Sequence, residues 1–211
     1  MTCYINLYKL QLFATIIFIV NTYPSFAKNL ELLAKVEQYF HTYDTFYSEF
    51  TQEALVDTEQ ILIGKLYIVK PGMVRVDYLE PKMTIIAKNH YVMYRDYELD
   101  EVFYTKKQHY LFHLLSNKDI NLHNEIKKIS LKNNKINLEI EKMLDDVNLK
   151  IFITLTYNPV SLQKIKINEN DSEKYIFTFT SARYNIFLDK RLFSVQNQSF
   201  YSVPYCYDNK N

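Results

Sequence analysis

The histidines and glycines of this chain offer little material for catalysis or for metal or phosphate binding. His109 and His113 are four residues apart on a predicted helix, so both could face one metal ion. However, no Glu stands between them and no third ligand is evident. Neither a GxSxG nor an HExxH motif occurs, and Gly64 and Gly72 cannot form a phosphate-binding loop. We therefore expect no enzyme activity, no metal site and no cofactor.

The composition indicates one folded domain with many β-forming residues. Of the 211 residues, 48% are hydrophobic and 16% aromatic, with 19 Tyr, 14 Phe and no Trp. This aromatic content suits strands, because pleated surfaces pack large rings well. The 25 Lys and Arg residues nearly balance the 24 Asp and Glu residues, so the chain lacks the positive charge typical of nucleic-acid-binding proteins.

Residues 1–27 have the parts of an export signal in the expected order. Lys9 precedes an apolar run at residues 10–20, and Ser25-Phe26-Ala27 offers a cleavage site between small residues. The alternative is a retained membrane anchor, but a run of about 11 residues is roughly half of what a spanning helix needs. We expect cleavage after Ala27 and a soluble, monomeric mature protein.

The mature chain, residues 28–211, has Cys206 as its only cysteine, because Cys3 is removed with the signal. Its core therefore has no internal disulfide and depends on burial. No cysteine follows the apolar run, so we expect no lipid attachment to the protein itself.

Hydrophobic periodicity predicts a β-rich domain with two helices. Apolar residues three and four apart predict a helix over residues 29–44, capped by Asn29, and a short second helix between residues 108 and 117. Alternating or β-branched runs bounded by Pro, Gly, Asn and Asp predict about eleven strands. Twelve runs are candidates for these strands: residues 46–52, 61–69, 74–78, 83–87, 91–95, 101–105, 126–131, 136–140, 149–156, 162–167, 175–180 and 187–195.

So many short strands in one domain predict a strongly curved antiparallel sheet. Because exposed sheet edges are a liability, partial closure is favoured. The predicted fold class is mainly β (α+β), an incomplete antiparallel β-barrel of about eleven strands with a helical lid. Such a barrel can enclose a ligand cavity.

Several short motifs occur in order between residues 50 and 115. They are F-T-Q at 50–52, G-K-L-Y at 64–67, K-P-G-M-V-R-V-D-Y at 70–78, Pro81, Y-V-M-Y at 91–94, an acidic turn at 96–100 and Leu114-Leu115. This ordered set resembles the periplasmic outer-membrane lipoprotein carrier family (LolA). Two positions depart from the family pattern. Lys70 stands where the family has Arg, and Lys88-Asn89-His90 replaces an Asp-Gly hairpin.

The resemblance implies a periplasmic half-barrel whose apolar cavity is closed by helices. It implies a carrier that takes acylated lipoproteins from an ATP-driven release complex of the inner membrane and passes them to an outer-membrane acceptor. It also implies that Lys70 bonds to the backbone of a lid helix and latches the empty cavity. Lysine offers a single ammonium there instead of the planar fork of arginine.

Strand alternation selects residues that could line such a cavity. The candidates are Phe50, Tyr67, Val69, Val74, Val76, Tyr78, Ile86, Val92 and Tyr94. A filled barrel uses the same alternation, so the sequence leaves open whether these residues form a cavity or a dry core.

Other functions remain open at this point. A lipid-sensing envelope regulator has a similar half-barrel but usually carries a second domain, for which we expect no room here. The acceptor lipoprotein of the same pathway needs a cysteine where Lys28 stands. An exported hydrolase acting on lipid or glycan needs a nucleophile with its base, or a carboxylate pair, and neither stands out.

We predict that export removes residues 1–27. N-terminal sequencing of the protein recovered from the cell envelope should give Lys28 as the first residue. Recovery of an intact N-terminus in the membrane fraction would contradict this prediction.

Overall fold

The computed structural model describes residues 23–55, 60–88, 91–105, 110–144 and 146–194, with side chains from residue 28 onward. These ranges contain eleven β-strands, two α-helices and a short 3-10 helix. The predicted signal segment, apart from the backbone of residues 23–27, lies outside them. In the described ranges, no helix combines the length and the apolar character needed to span a bilayer.

All eleven strands belong to one antiparallel sheet. They are β1 Thr45–Ala54, β2 Gln60–Val69, β3 Met73–Tyr78, β4 Met83–Lys88, β5 Tyr91–Asp96, β6 Glu101–Thr105, β7 Ile126–Lys132, β8 Lys135–Leu144, β9 Val147–Tyr157, β10 Val160–Glu169 and β11 Ser172–Tyr184. Their spatial order is β6-β5-β4-β3-β2-β1-β11-β10-β9-β8-β7. The edge strands β6 and β7 do not pair with each other, so the predicted incomplete barrel is confirmed.

The sheet consists of two meanders joined at β1 and β11. In that pairing Phe50 lies opposite Phe179, which brings the two halves of the sequence together at the middle of the sheet. Within the second meander, Asn133 and Asn134 have φ values of 52° and 58°, and Asp146 has 66°. These left-handed conformations, which Asn and Asp tolerate, close the hairpins as predicted.

Helix α1 spans Tyr23–His41 and helix α2 spans Tyr110–Ser116. The position of α2 confirms the prediction, but α1 begins and ends earlier than the predicted 29–44. Asn29 therefore lies inside the helix and does not cap it. The end of α1 is set by Thr42, whose hydroxyl donates to Tyr39 O at 2.7 Å, and by β1, which begins three residues later.

Helix α1 packs on the concave face of the sheet, against β7 and β10. Val36 and Phe40 are fully buried there in the main hydrophobic core. Polar contacts fix the outer side of the helix. Lys35 Nζ donates to Tyr157 Oη at 2.7 Å, and the carboxylate of Glu37 accepts from the backbone N–H of Leu122 at 2.9 Å.

A second, smaller hydrophobic cluster lies on the opposite, convex face. Residues 185–194, called here the C-terminal strap, cross that face and place Leu188, Leu192 and Phe193 against it. The predicted strand at 187–195 is therefore wrong in the part described. A 3-10 helix, Lys190–Phe193, occupies it instead, and the carboxylate of Asp189 caps that helix by accepting from Arg191 N at 2.9 Å. The one-turn helix puts adjacent apolar residues on the sheet.

A buried ion pair joins the strap to the sheet. Arg75 Nε lies 2.9 Å from both carboxylate oxygens of Asp77, and Arg75 Nη1 donates to Leu192 O at 2.8 Å. The Thr84 hydroxyl adds a bond of 2.7 Å to Asp77 Oδ1. Buried charges of this kind are tolerated only when both partners are present.

Removing one member of this pair should be costly. We expect Asp77→Ala to lower the free energy of unfolding by about 3 to 5 kcal/mol, because Arg75 is left buried without its counter-charge. Urea denaturation measures the change. The matched control is Lys127→Met, which breaks an exposed ion pair with Glu141 and should cost no more than about 1 kcal/mol. Equal losses of unfolding free energy in the two variants would contradict the burial of the Arg75–Asp77 ion pair.

Candidate functional site

An apolar cavity of about 390 Å³ lies on the concave face between the sheet and α2. Its volume is in the range of small-molecule sites, about 300 to 1,000 Å³. The strand side of the wall is Phe50, Gln52, Leu66, Val76, Tyr78, Ile85, Tyr94, Leu149, Ile151, Ile167, Glu169, Tyr175, Phe177 and Phe179. Helix α2 closes it with Tyr110, Leu111, Phe112 and Leu115. None of the described side chains of α1 forms part of this wall.

The polar groups of the wall are nearly all uncharged. Tyr78 Oη donates to Gln52 Oε1 at 2.5 Å, which pairs the most deeply buried polar atoms of the wall with each other. Burial raises the pKa of Tyr78 and of Tyr94, so both remain neutral phenols at physiological pH. The cavity formed by the described residues therefore suits an alkyl chain.

Phe50 lies at the centre of the strand wall. Its ring centroid is 5.6 Å from that of Tyr78 in an edge-to-face contact, 5.8 Å from Phe177 and 6.2 Å from Phe179. The ring can lie over β2 because Gly64 stands directly opposite Phe50 in the register. A Cβ at Gly64 would come within 2.5 Å of Phe50 Cζ and 2.8 Å of Asp77 O.

Helix α2, the lid of the cavity, is held by polar contacts at both ends. At its C-terminal end Ser116 O accepts from the backbone N–H of Gly72 at 3.0 Å. At its N-terminal end Tyr110 Oη donates to the carboxylate of Glu125, which also accepts from Lys142 Nζ at 2.8 Å. Burial alone would raise the pKa of Glu125, but the hydrogen bonds from Lys142 and Tyr110 outweigh it and lower that pKa.

Lys70 reaches the other helix from the same turn. Its Nζ donates to Phe40 O in the last turn of α1, where helix carbonyls lack intrahelical donors, and lies 3.8 Å from the ring centroid of Tyr43. Only 7% of Lys70 is exposed. Burial lowers the pKa of Lys70 to about 8, and the nearby carboxylate of Asp44 offsets part of that effect.

The structure places the predicted lining residues in three groups. Phe50, Val76, Tyr78 and Tyr94 lie in the cavity wall. Val74 and Val92 lie in the main core cluster, beside the wall but not part of it.

Tyr67, Val69 and Ile86 require a correction, because they belong to the cluster beneath the C-terminal strap on the opposite face. Tyr67 lies opposite Arg75 in the register and shares its face. Both faces of β2, β3 and β4 are largely buried. Apolar alternation in these strands therefore does not show which face points inward.

The sequence interpretation missed the contribution of the C-terminal strands. Ile151, Ile167, Phe177 and Phe179 complete the wall from β9, β10 and β11. The sequence predicted strands at 149–156, 162–167 and 175–180, which contain these residues. What was lacking was the pairing of β1 with β11, which places these strands beside Phe50.

No metal centre accompanies the cavity in the described residues. Within those ranges, no group of three or more His, Cys, Asp or Glu side chains could hold a metal ion. His109, Asn89-His90 and Cys206 lie outside the described residues, so the interpretations that concern them stay predictions.

A family model described as "Outer membrane lipoprotein carrier protein LolA" matches residues 41–196, which run from the end of α1 through the C-terminal strap. The chain belongs to this family. An uncharacterized protein of Rickettsia prowazekii is 26% identical over 200 residues, covering 93% of this chain and 92% of that protein.

Solved structures agree with the LolA fold. A Vibrio parahaemolyticus domain named for outer membrane lipoprotein sorting has a TM-score of 0.50 at 10% identity, covering 80% of this chain and 97% of that one. An uncharacterized conserved protein from Thermus thermophilus also has a TM-score of 0.50, at 8% identity, with coverages of 80% and 94%. At these identities the likeness concerns the fold alone.

The contact between Gly64 and Phe50 gives a test of how this LolA-family wall is built. We expect Gly64→Ala to cost about 1 to 3 kcal/mol of stability, because the added Cβ forces the Phe50 ring or the β3 backbone to move. Urea denaturation of Gly64→Ala, Phe50→Leu and the double variant measures the coupling. The double variant should lose less than the sum of the single losses. Strict additivity would show that the ring does not occupy this position.

Proposed function

We propose that this protein is a periplasmic carrier that binds the acyl chains of lipoproteins released from the inner membrane and delivers them to an outer-membrane acceptor. The cavity under α2 is the observation that supports this most directly, because it offers an apolar wall without a reactive centre among the described residues. The LolA family is a carrier family and not a catalytic one. We further propose a monomer that works without a cofactor.

The physical need for a carrier follows from the cost of exposing acyl chains to water. Each buried CH₂ is worth about 0.8 kcal/mol, so a lipid-bearing protein cannot leave a bilayer unaided. The carrier must match that apolar surface and still release it. A lid of seven residues, Tyr110–Ser116, is too short to be a stable helix by itself. Its contacts with the rest of the protein therefore decide where it lies.

The proposed cargo can be tested with one lipoprotein in triacylated and unacylated forms. We expect the protein to bind the acylated form only, and Phe177→Asp to abolish binding by placing a charge in the wall. The matched control is Ile176→Asp, which makes a similar change at the neighbouring residue of β11, outside the cavity wall. It should retain binding.

Equal binding of the two lipoprotein forms, or no binding of either, would contradict the carrier proposal. Circular dichroism of both Asp variants shows whether the fold is intact. Turnover of lipid or glycan substrates by the purified protein would instead favour the exported hydrolase.

We propose that Lys70 stabilises the closed, empty state by anchoring, through its bond to Phe40 O of α1, the turn whose Gly72 N–H holds the end of the lid α2. Only an interaction that differs between two states can shift their balance. Lys70→Leu leaves that helix carbonyl without its donor, at about 1 to 3 kcal/mol, so the open state gains. Cargo should then bind more tightly and leave more slowly. Lys70→Arg should speed transfer to the acceptor, because the guanidinium offers more donors. Equal rates of cargo release for the Lys, Leu and Arg forms would show that Lys70 is an ordinary turn residue without a role in closing the cavity.

The same lysine predicts a pH dependence with a definite sign. Its pKa is about 8 when buried, against 10.5 for the ordinary value that we expect in the open state. Between these values the open state binds more protons at Lys70, so rising pH favours the closed state. Cargo release should therefore be faster at about pH 9.5 than at about pH 7. Lys70→Arg, which stays charged, is the control and should lack this increase.

A further inference from the structure

Glu169 is the one charged side chain among the described residues that line the cavity. It is the last residue of β10, half-buried, and it lies directly opposite Leu149, another residue of the wall. The sheet therefore carries a carboxylate at the end of an otherwise uncharged apolar wall. Its place at the strand end leaves its carboxylate half-exposed, while the rest of the wall is made of apolar and neutral polar side chains.

No described side chain neutralises this carboxylate, which has neither a hydrogen bond nor an ion pair within the described ranges. Two lysines at neighbouring register positions are engaged elsewhere. Lys142 lies opposite Leu149 on β8, two strands away, and its Nζ binds Glu125 at 2.8 Å. Lys150 lies opposite Asn168, so it points to the other face of the sheet, where it binds Asp171 at 2.6 Å.

The entry of a lipid changes the surroundings of Glu169. Acyl chains in the cavity displace water from the wall, and a half-hydrated carboxylate beside them loses solvation unless the ligand supplies a positive group. An anionic group at that place would be repelled. A primary ammonium at the polar end of the lipid would form a charge-assisted hydrogen bond with Glu169 while its chains fill the apolar wall.

We propose that Glu169 selects diacyl lipid ligands whose polar end carries a primary ammonium. This rests on the proposed carrier function and specifies its cargo. In a lipoprotein, the ammonium is the free α-amine of a diacylated N-terminal cysteine. A third, amide-linked chain converts that amine to a neutral amide and removes the interaction. The same ammonium chemistry occurs in the headgroup of phosphatidylethanolamine.

The test compares a diacylated lipopeptide that has a free α-amine with its N-acetylated derivative, which keeps both chains and replaces the ammonium with a neutral acetamide. Displacement of a fluorescent fatty acid from the mature protein gives the two affinities. We expect the free-amine form to bind about tenfold more tightly, the range of one charge-assisted hydrogen bond. Glu169→Gln should abolish the difference, and Glu169→Asp should retain part of it.

The matched control is Glu139→Gln, which removes a carboxylate from β8 outside the cavity wall and should keep the tenfold preference. Equal affinities in the unchanged protein, or a preference that survives Glu169→Gln, would overturn the role of Glu169 and leave the carrier function standing. If neither lipopeptide binds while the fold is intact, the proposed function itself fails.

A competition experiment distinguishes the two possible sources of the ammonium, a lipoprotein α-amine and a phospholipid headgroup. Vesicles of phosphatidylethanolamine and of phosphatidylglycerol compete with the free-amine lipopeptide. Displacement by phosphatidylethanolamine alone would assign the site to a phospholipid headgroup. Displacement by neither would assign it to the α-amine of a lipoprotein. Both results support ammonium recognition, whereas equal displacement by both vesicles would contradict it.

Discussion

One turn, Lys70-Pro71-Gly72, ties both helices to the sheet. Lys70 Nζ donates to a carbonyl in the last turn of α1, and the N–H of Gly72 donates to the last residue of α2. Both contacts satisfy helix carbonyls that have no intrahelical donor. They also set the angle at which the two helices cover the concave face. Since the lid is too short to be stable alone, the cavity beneath it exists as an enclosed space only while such end contacts persist.

The two halves of the concave face are built for different purposes. On the side covered by α1, sheet residues such as Ile140 and Ile165 are fully buried in the main core. Under α2 the lid residues Leu111 and Phe112 remain half-exposed. Because protein interiors are normally close-packed, a half-covered cavity beside this buried core supports the proposed binding of acyl chains there.

The sequence was sufficient for the fold and partly sufficient for the site. Apolar residues at every second position and the turn residues between the runs predicted an open antiparallel barrel. The ordered motifs between residues 50 and 115 indicated the LolA family. The sequence did not show which side chains of β2 and β4 face inward, because Tyr67 and Ile86 are as apolar as the residues that do. The strand predicted at 187–195 failed for a related reason, since a one-turn helix and a strand both place apolar residues on a sheet. Nor could the sequence supply the β1–β11 pairing that brings Phe177 to the cavity.

The outward-facing positions of Tyr67 and Ile86 show how the strands that border the cavity are supported. Strands β2 to β5 border the cavity on one face, so they lack the continuous packing that α1 gives to the other half. Their convex face supplies it instead, with Tyr67 and Met93 packed against the C-terminal strap and the buried Arg75–Asp77 pair bonded to Leu192. Strands β8 to β10 differ, because α1 covers the part of their concave face outside the cavity wall, and on their other face residues such as Asn137 and Lys164 are exposed. The strap thus supports one half of the sheet and α1 supports the other. Because the strap packs on the convex face of these strands, the cavity wall can keep its position while α2 moves on the concave face.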